Sequence, residues 1–151
     1  MRIFETLSEL TDLVGQEVAV SDWITITQEQ VNQFAQATGD HQWIHVDVER
    51  AKAGPFGVPI AHGFLTLSLI PQFFQVALEV REVGMGVNYG LNKVRFMAPV
   101  PVGSRLRARF RLLASDPIDN AGRQMTWEVV VEREGASKPV CVAESISRRY
   151  P

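Results

Sequence analysis

Residues 60–80 read IAHGFLTLSLIPQFFQVALEV, and this segment is apolar nearly all round once wound into a helix. Such a helix has no polar face to give to water, so the rest of the chain must enclose it. It is a poor bilayer span, because it carries His62, Gln72, Gln75 and Glu79 with Pro71 at its centre. The reading is a long buried helix over 62–80, kinked or shifted in register at Pro71, which lacks a backbone donor. After it the hydrophobic period changes from helical to two, with strand candidates at 85–97, 104–114, 123–134 and 139–149. One apolar helix followed by four alternating strands predicts an α+β fold, a curved antiparallel sheet wrapped around the central helix. With 151 residues there is room for one such domain, spanning 1–151, and little else.

The first third of the chain supplies the connecting pieces. Leu7, Leu10 and Val14 suggest a helix over 3–14, and EVAVSDWITI suggests an extended segment over 17–26. Thr27 and Gln30 fit a capping box, with Val31, Phe34 and Ala35 on the apolar face behind it. Gly39 fits the stop of that helix, and Asp47 can cap a short one through Ala53, ended by Gly54-Pro55. Arg105, Arg107, Arg109 and Arg111 alternate with apolar residues and so share one sheet face. Glu128, Glu132 and Glu134 share a face of the next strand, and opposite charges on neighbouring strands support each other. The row is either a solvated face or a place for the phosphates of a nucleotide-tailed substrate. In 85–97 the apolar parity slips between Leu91 and Val94, which predicts a bulge near Gly90 to Lys93. That slip leaves Asn88 and Asn92 in a strand that otherwise reads as core.

Composition excludes several functions. Fifteen Lys and Arg against seventeen Asp and Glu leave a net charge of −2, with no basic excess for nucleic acid. A single cysteine, Cys141, rules out an internal disulfide and a multi-cysteine zinc site, and reads as a small core residue. The start, MRIFETLSEL, has no secretory apolar region, so a cytoplasmic protein without membrane insertion is expected. Gly84-Met85-Gly86 precedes a strand instead of linking strand to helix, so it is no dinucleotide loop.

The three histidines, at 41, 45 and 62, cluster in 22 residues. Asp40 and His45 lie in a connection between helices, where a scaffold can hold reactive groups. Asp40 follows a helix C-terminus, whose negative dipole end makes a carboxylate a better base. The pair fits acid–base work; it also fits plain turn hydrogen bonding. His62-Gly63 opens the central helix, and Gly63 admits either a ligand close to the backbone or tight packing against the sheet. His41 and His45 with Asp40 and Asp47 make a metal site conceivable, but Gly39 and Trp43 speak against the helix that such spacing needs.

Taken together, the run ATGDHQWIHVD at 37–47, then GPFG at 54–57 and PIAHG at 59–63, strongly resembles the MaoC-like dehydratases, among them the (R)-specific enoyl-CoA hydratases. NYGLNKVRF at 88–96 resembles their single-domain actinobacterial subgroup. The resemblance covers nearly the whole chain and implies a hot-dog fold. It implies hydration of a trans-2-enoyl coenzyme A thioester to the (R)-3-hydroxyacyl thioester, and the reverse dehydration, in a homodimer and without any metal or redox cofactor. By position, Asp40 and His45 match the catalytic pair and the Gly63 N–H matches the thioester-oxygen donor. His62 is expected to support the loop. Some relatives carry a serine where this chain has Pro71; Ser68 sits one turn earlier, and with Asn88 and Asn92 it is a supporting or substrate-binding candidate. The alternatives within the same fold are an acyl-CoA thioesterase and a non-catalytic acyl-CoA binding module.

Overall fold

The computed structural model describes residues Met1–Pro151. In chain order the elements are β1 (Arg2–Phe4), α1 (Leu7–Thr11), β2 (Glu17–Val20), β3 (Ile24–Thr25), α2 (Gln28–Thr38), α3 (Trp43–Val46), α4 (Val48–Lys52), α5 (Gly63–Ser68), α6 (Ile70–Ala77), β4 (Leu78–Val80), β5 (Met85–Phe96), β6 (Arg105–Pro117), β7 (Arg123–Arg133) and β8 (Cys141–Tyr150). A six-stranded sheet runs β2-β6-β7-β8-β5, with β3 also paired to β6. All its pairings are antiparallel. This is the expected hot-dog arrangement, a sheet wrapped around one helical axis.

The apolar segment is less continuous than its pattern suggests. The helix breaks at Leu69, between α5 and α6, and Pro71 falls in the first turn of α6. There its missing N–H removes no bond that the helix needs. At Leu78 the backbone turns extended (φ −151°, ψ 151°), so 78–80 form a strand instead of a last helical turn. That strand pairs in parallel with β1, Arg2 opposite Leu78. Residues 3 and 4, expected to start a helix, are therefore strand together with Arg2, and only 7–11 of the expected 3–14 are helical. The extended segment 17–26 is likewise two strands, parted at Ser21, whose Oγ accepts from the Ala108 N–H.

Phe73, Leu65, Leu69 and Ile70 from the central helices meet Leu106, Phe110, Trp127 and Val129 from the sheet in one buried core. Phe74, Phe110 and Trp127 pack edge to face at centroid distances of 5.4, 5.3 and 6.3 Å. Edge-to-face pairs gain beyond area burial, by ~0.5–1.5 kcal/mol each. Cys141 is buried, and burial pushes its thiol up to about 11, as suits a core residue. On the other face the arginine row is spent locally. Arg105 pairs with Glu134, Arg107 with Glu132 and Arg109 with Glu17, while Arg111 donates to the Gly15 carbonyl. The row is a solvated face.

β5 departs most from expectation. It is the sheet edge and is exposed along nearly its whole length, Val87, Tyr89 and Leu91 included, so it is not core. Its register against β8 shifts twice, between Asn88 and Gly90 and between Leu91 and Lys93, which bears out the bulge. Replacing Phe73, fully buried on the central helix, with Ala should cost ~3–5 kcal/mol of unfolding free energy in urea titration. A loss under 1 kcal/mol would mean that the helix is not enclosed in this way.

Candidate active site

Two short elements aim the reactive groups. α2 is capped by Thr27, whose side chain accepts from the Gln30 N–H, and ends at Gly39 in the left-handed region (φ 80°). That turn throws Asp40 out of the helix into an exposed position, where its Oδ1 accepts from the Gln42 N–H at 3.3 Å. Residues 43–46 then form a single helical turn, shorter than the helix that was argued against but helical all the same. It turns His45 inward to 6% exposure. Gln28 Nε2 donates to the His45 carbonyl at 2.8 Å, fastening this turn to the start of α2.

The imidazoles are set by backbone carbonyls. His45 Nδ1–H donates to the Ile60 carbonyl at 2.6 Å, which fixes the tautomer and leaves Nε2 as the free acceptor. His62 Nε2–H donates to the main-chain carbonyl of Asp40 at 2.9 Å. Its ring lies against His45, with centroids 3.8 Å apart and planes at 26°, and against Phe34 at 4.9 Å on another side. His62 therefore holds both members of the expected pair, Asp40 by its backbone and His45 by its ring. Ligand atoms of Asp40, His45 and His62 all lie within 4.8 Å of one another. Burial, above all, lowers the His45 pKa from its ordinary 6.5; His62 adds to this, while the Ile60 carbonyl and Asp40 oppose it. His45 is neutral near pH 7, as a proton acceptor must be.

The trio is composed like a two-histidine, one-carboxylate metal site, but its geometry does not suit one. Imidazole lone pairs lie in the ring plane, and metal–nitrogen bonds are ~2.0–2.1 Å long. Two rings stacked at 3.8 Å and 26° send their lone pairs nearly side by side, so they cannot converge on one ion at that length.

Gly63 follows directly. The Leu65 and Thr66 N–H groups both turn back to the His62 carbonyl, which leaves the Gly63 N–H free at the start of α5. The Phe96 ring lies so close that a Cβ on residue 63 would come within 2.9 Å of it. Only glycine leaves this backbone open to a ligand beside the ring. His45, Gly63, Thr66, Phe56, Phe96 and Val140 line a cleft of about 350 Å³.

The other candidates separate. Ser68 Oγ donates to the Phe64 carbonyl at 2.6 Å and meets neither Asp40 nor His45. With Asn88 and Pro71 it lines a second cleft, of about 390 Å³, further along the central helix. Asn92 donates to Glu144 at 2.6 Å and lines neither of these two clefts. The bulge between Leu91 and Lys93 adjoins it and re-aims the strand there. His41 is exposed and takes no part. The Ile60 carbonyl, Gln28 and Phe96 were missed. Only Phe96, in the run 88–96, carried a signal, since a backbone carbonyl leaves none in sequence.

A curved sheet around a central helix, with a neutral imidazole and a free backbone N–H at one cleft and the Asp40 carboxylate within 4.8 Å of that imidazole, defines a hydro-lyase of the hot-dog class. The MaoC like domain profile matches residues 9–134, and the chain belongs to that dehydratase family. It is 57% identical over 148 residues to 3-hydroxyacyl-thioester dehydratase Z of Mycobacterium tuberculosis, covering 98% of both chains. It is 48% identical over 145 residues to nodulation protein N of Rhizobium meliloti, covering 94% of this chain and 89% of that protein. Among solved structures, the unliganded R-hydratase PhaJ1 of Pseudomonas aeruginosa superposes with a TM-score of 0.68 at 25% identity, covering 91% of this chain and 81% of that one. No helix is long and apolar enough to cross a membrane.

The lowered His45 pKa fixes a sign. In the unfolded chain the histidine takes up a proton near 6.5, and in the fold only at lower pH, so stability falls as pH drops below about 6.5. Imidazole NMR titration should place His45 below 6.5; a value above it would mean that the site holds an imidazolium.

Proposed function

We propose that the protein hydrates trans-2-enoyl-CoA to (R)-3-hydroxyacyl-CoA and catalyses the reverse dehydration. The observation that carries this is the Asp40–His45 pair beside the Gly63 N–H. The thioester oxygen accepts from Gly63. Water held between the Asp40 carboxylate and His45 Nε2 adds through its oxygen to C3. The C2–C3 π electrons move toward the thioester, and the charge that gathers on its oxygen is met by the Gly63 donor. The proton given up by the water reaches C2 through the pair. One connecting segment supplies both groups, so oxygen and proton arrive on the same face. No electron changes hands, so the reaction needs no redox cofactor, and in this reading the Asp40–His45 pair and the Gly63 N–H supply the water activation and charge stabilisation that a metal would otherwise give. The cytoplasm, with its coenzyme A pool, is the assigned compartment.

The same reading supports a homodimer. β5 is an edge strand with unpaired backbone and exposed Val87, Tyr89 and Leu91, a surface that isolated proteins rarely leave bare. A second β5 in antiparallel register would cover it and extend the sheet. Equilibrium sedimentation should return about twice the 16.9 kDa chain mass; a monomer mass contradicts the pairing.

Loss of enoyl absorbance with trans-2-enoyl-CoA tests the activity, and chiral analysis should return the (R) product. Asp40→Asn and His45→Gln should each lower kcat by ~10²–10⁴-fold. Free thiol without a hydroxyacyl product would indicate a thioesterase instead, and binding without turnover a carrier module.

A further inference from the structure

Beside the second cleft lies a small cavity of about 30 Å³, enclosed by the central helix and the inner face of the sheet. That is room for one small polar group. The two share Ile70, Pro71, Asn88 and Ser145 as walls, so the cavity is the inner end of the cleft. From Gly63 to Pro71 the central helix advances by ~12 Å, at 1.5 Å per residue. A thioester held at Gly63, with an acyl chain of matching length laid along the helix, would reach it.

The cavity is not what an alkyl chain calls for. Trp127, Ser147 and Arg149 are among its lining residues, and behind its wall Trp127 Nε1, Ser147 Oγ and Arg149 Nε are cut off from solvent with no hydrogen-bond partner. Trp127 is 2% exposed and Ser147 6%. Unmet buried donors cost ~1–3 kcal/mol each, and a charged one costs more. The Arg149 guanidinium lies 4.5 Å over the Phe74 ring and forms no ion pair. Glu79 lines an adjoining cavity with Arg149 but does not pair with it. Arg149 is turned inward because residue 86 is glycine, since a Cβ there would collide with its guanidinium. Neighbouring Arg123 and Arg148 are engaged elsewhere, with Ser115 and with Gln124 and Tyr89. The donor set is two N–H groups and a hydroxyl, one N–H cationic, with no acceptor-only group among them. Burial lowers the Arg149 pKa, as expected for a cation without a counter-ion.

We propose that this cavity receives an acyl chain ending in a carboxylate, with Arg149, Ser147 and Trp127 as its donors. The substrate class is then the coenzyme A monothioester of an unsaturated dicarboxylic acid. The proposal rests on the hydratase reading above and narrows it. A carboxylate supplies only acceptors, and its charge offsets the buried guanidinium.

The test is kcat/KM over a chain-length series of paired trans-2-enoyl-CoA substrates, one ending in methyl and its partner in carboxylate. The wild type should favour the carboxylate partner by at least ~10-fold at one length. Arg149→Met should abolish that preference, chiefly through KM, while the methyl-ended partner stays within about two-fold. Ser147→Ala, which removes an unpartnered buried hydroxyl and little volume, should weaken the preference without lowering the melting temperature. Preference for methyl at every length, or an equal fall for both partners in Arg149→Met, overturns the assignment and leaves the hydratase standing. Turnover of neither series by the wild type overturns both.

Discussion

The apolar flank of α5 and α6 has to be kept from water, and the way this chain does so sets the position of everything reactive. Burying a Phe or Leu side chain stabilises the fold by ~1.5–3 kcal/mol, and Leu65, Leu69, Ile70 and Phe73 all contribute on this one axis. The sheet covers most of the axis and reaches its start through Phe96, at the end of β5, which packs on Gly63. The rest of the cover there is the 40–62 connection, pinned by the His45–Ile60 and His62–Asp40 hydrogen bonds. The site is therefore the seam where loop takes over from sheet as the lid of the core.

That seam explains why two adjacent groups differ in character. His45 is packed against His62 under the connection, and burial keeps it neutral. Asp40 stands outside, exposed just past the end of α2. A pair with one buried and one wet member can hold a water at the boundary, where bulk solvent ends and the apolar path begins. His62 is the common support, so loss of its ring should disturb both partners together.

Much of this was legible in sequence because periodicity and caps are local. Thr27, Gly39 and the alternating strands reported elements whose physics lies in nearby residues. Asp40, His45 and Gly63 were legible as a resemblance. What failed was non-local. Residues 2–4 became a strand because residues 78–80 offered a parallel partner 76 positions away, which outweighs any preference of a three-residue segment. β5 read as core because apolar residues along a strand do not say whether anything covers them, and here Val87, Tyr89 and Leu91 are exposed. Asn92 sits beside the second register shift, where its amide meets Glu144, a partner 52 positions away that no local pattern announces. The polar cavity at Arg149 gave no local signal at all. It exists because Ser147, Arg149 and Trp127 from neighbouring strands meet Pro71 and Phe74 from the helix.

If one segment delivers both the oxygen and the proton, from one side of the substrate, addition across the double bond is syn. Hydration of a trans-2-enoyl-CoA in deuterium oxide tests it, with the relative configuration at C2 and C3 read from proton coupling in the product. Syn addition, with a single C2–C3 diastereomer and the (R) configuration at C3, is the predicted result. Anti addition, or a mixture at C2, would mean that the proton comes from a group other than the Asp40–His45 pair.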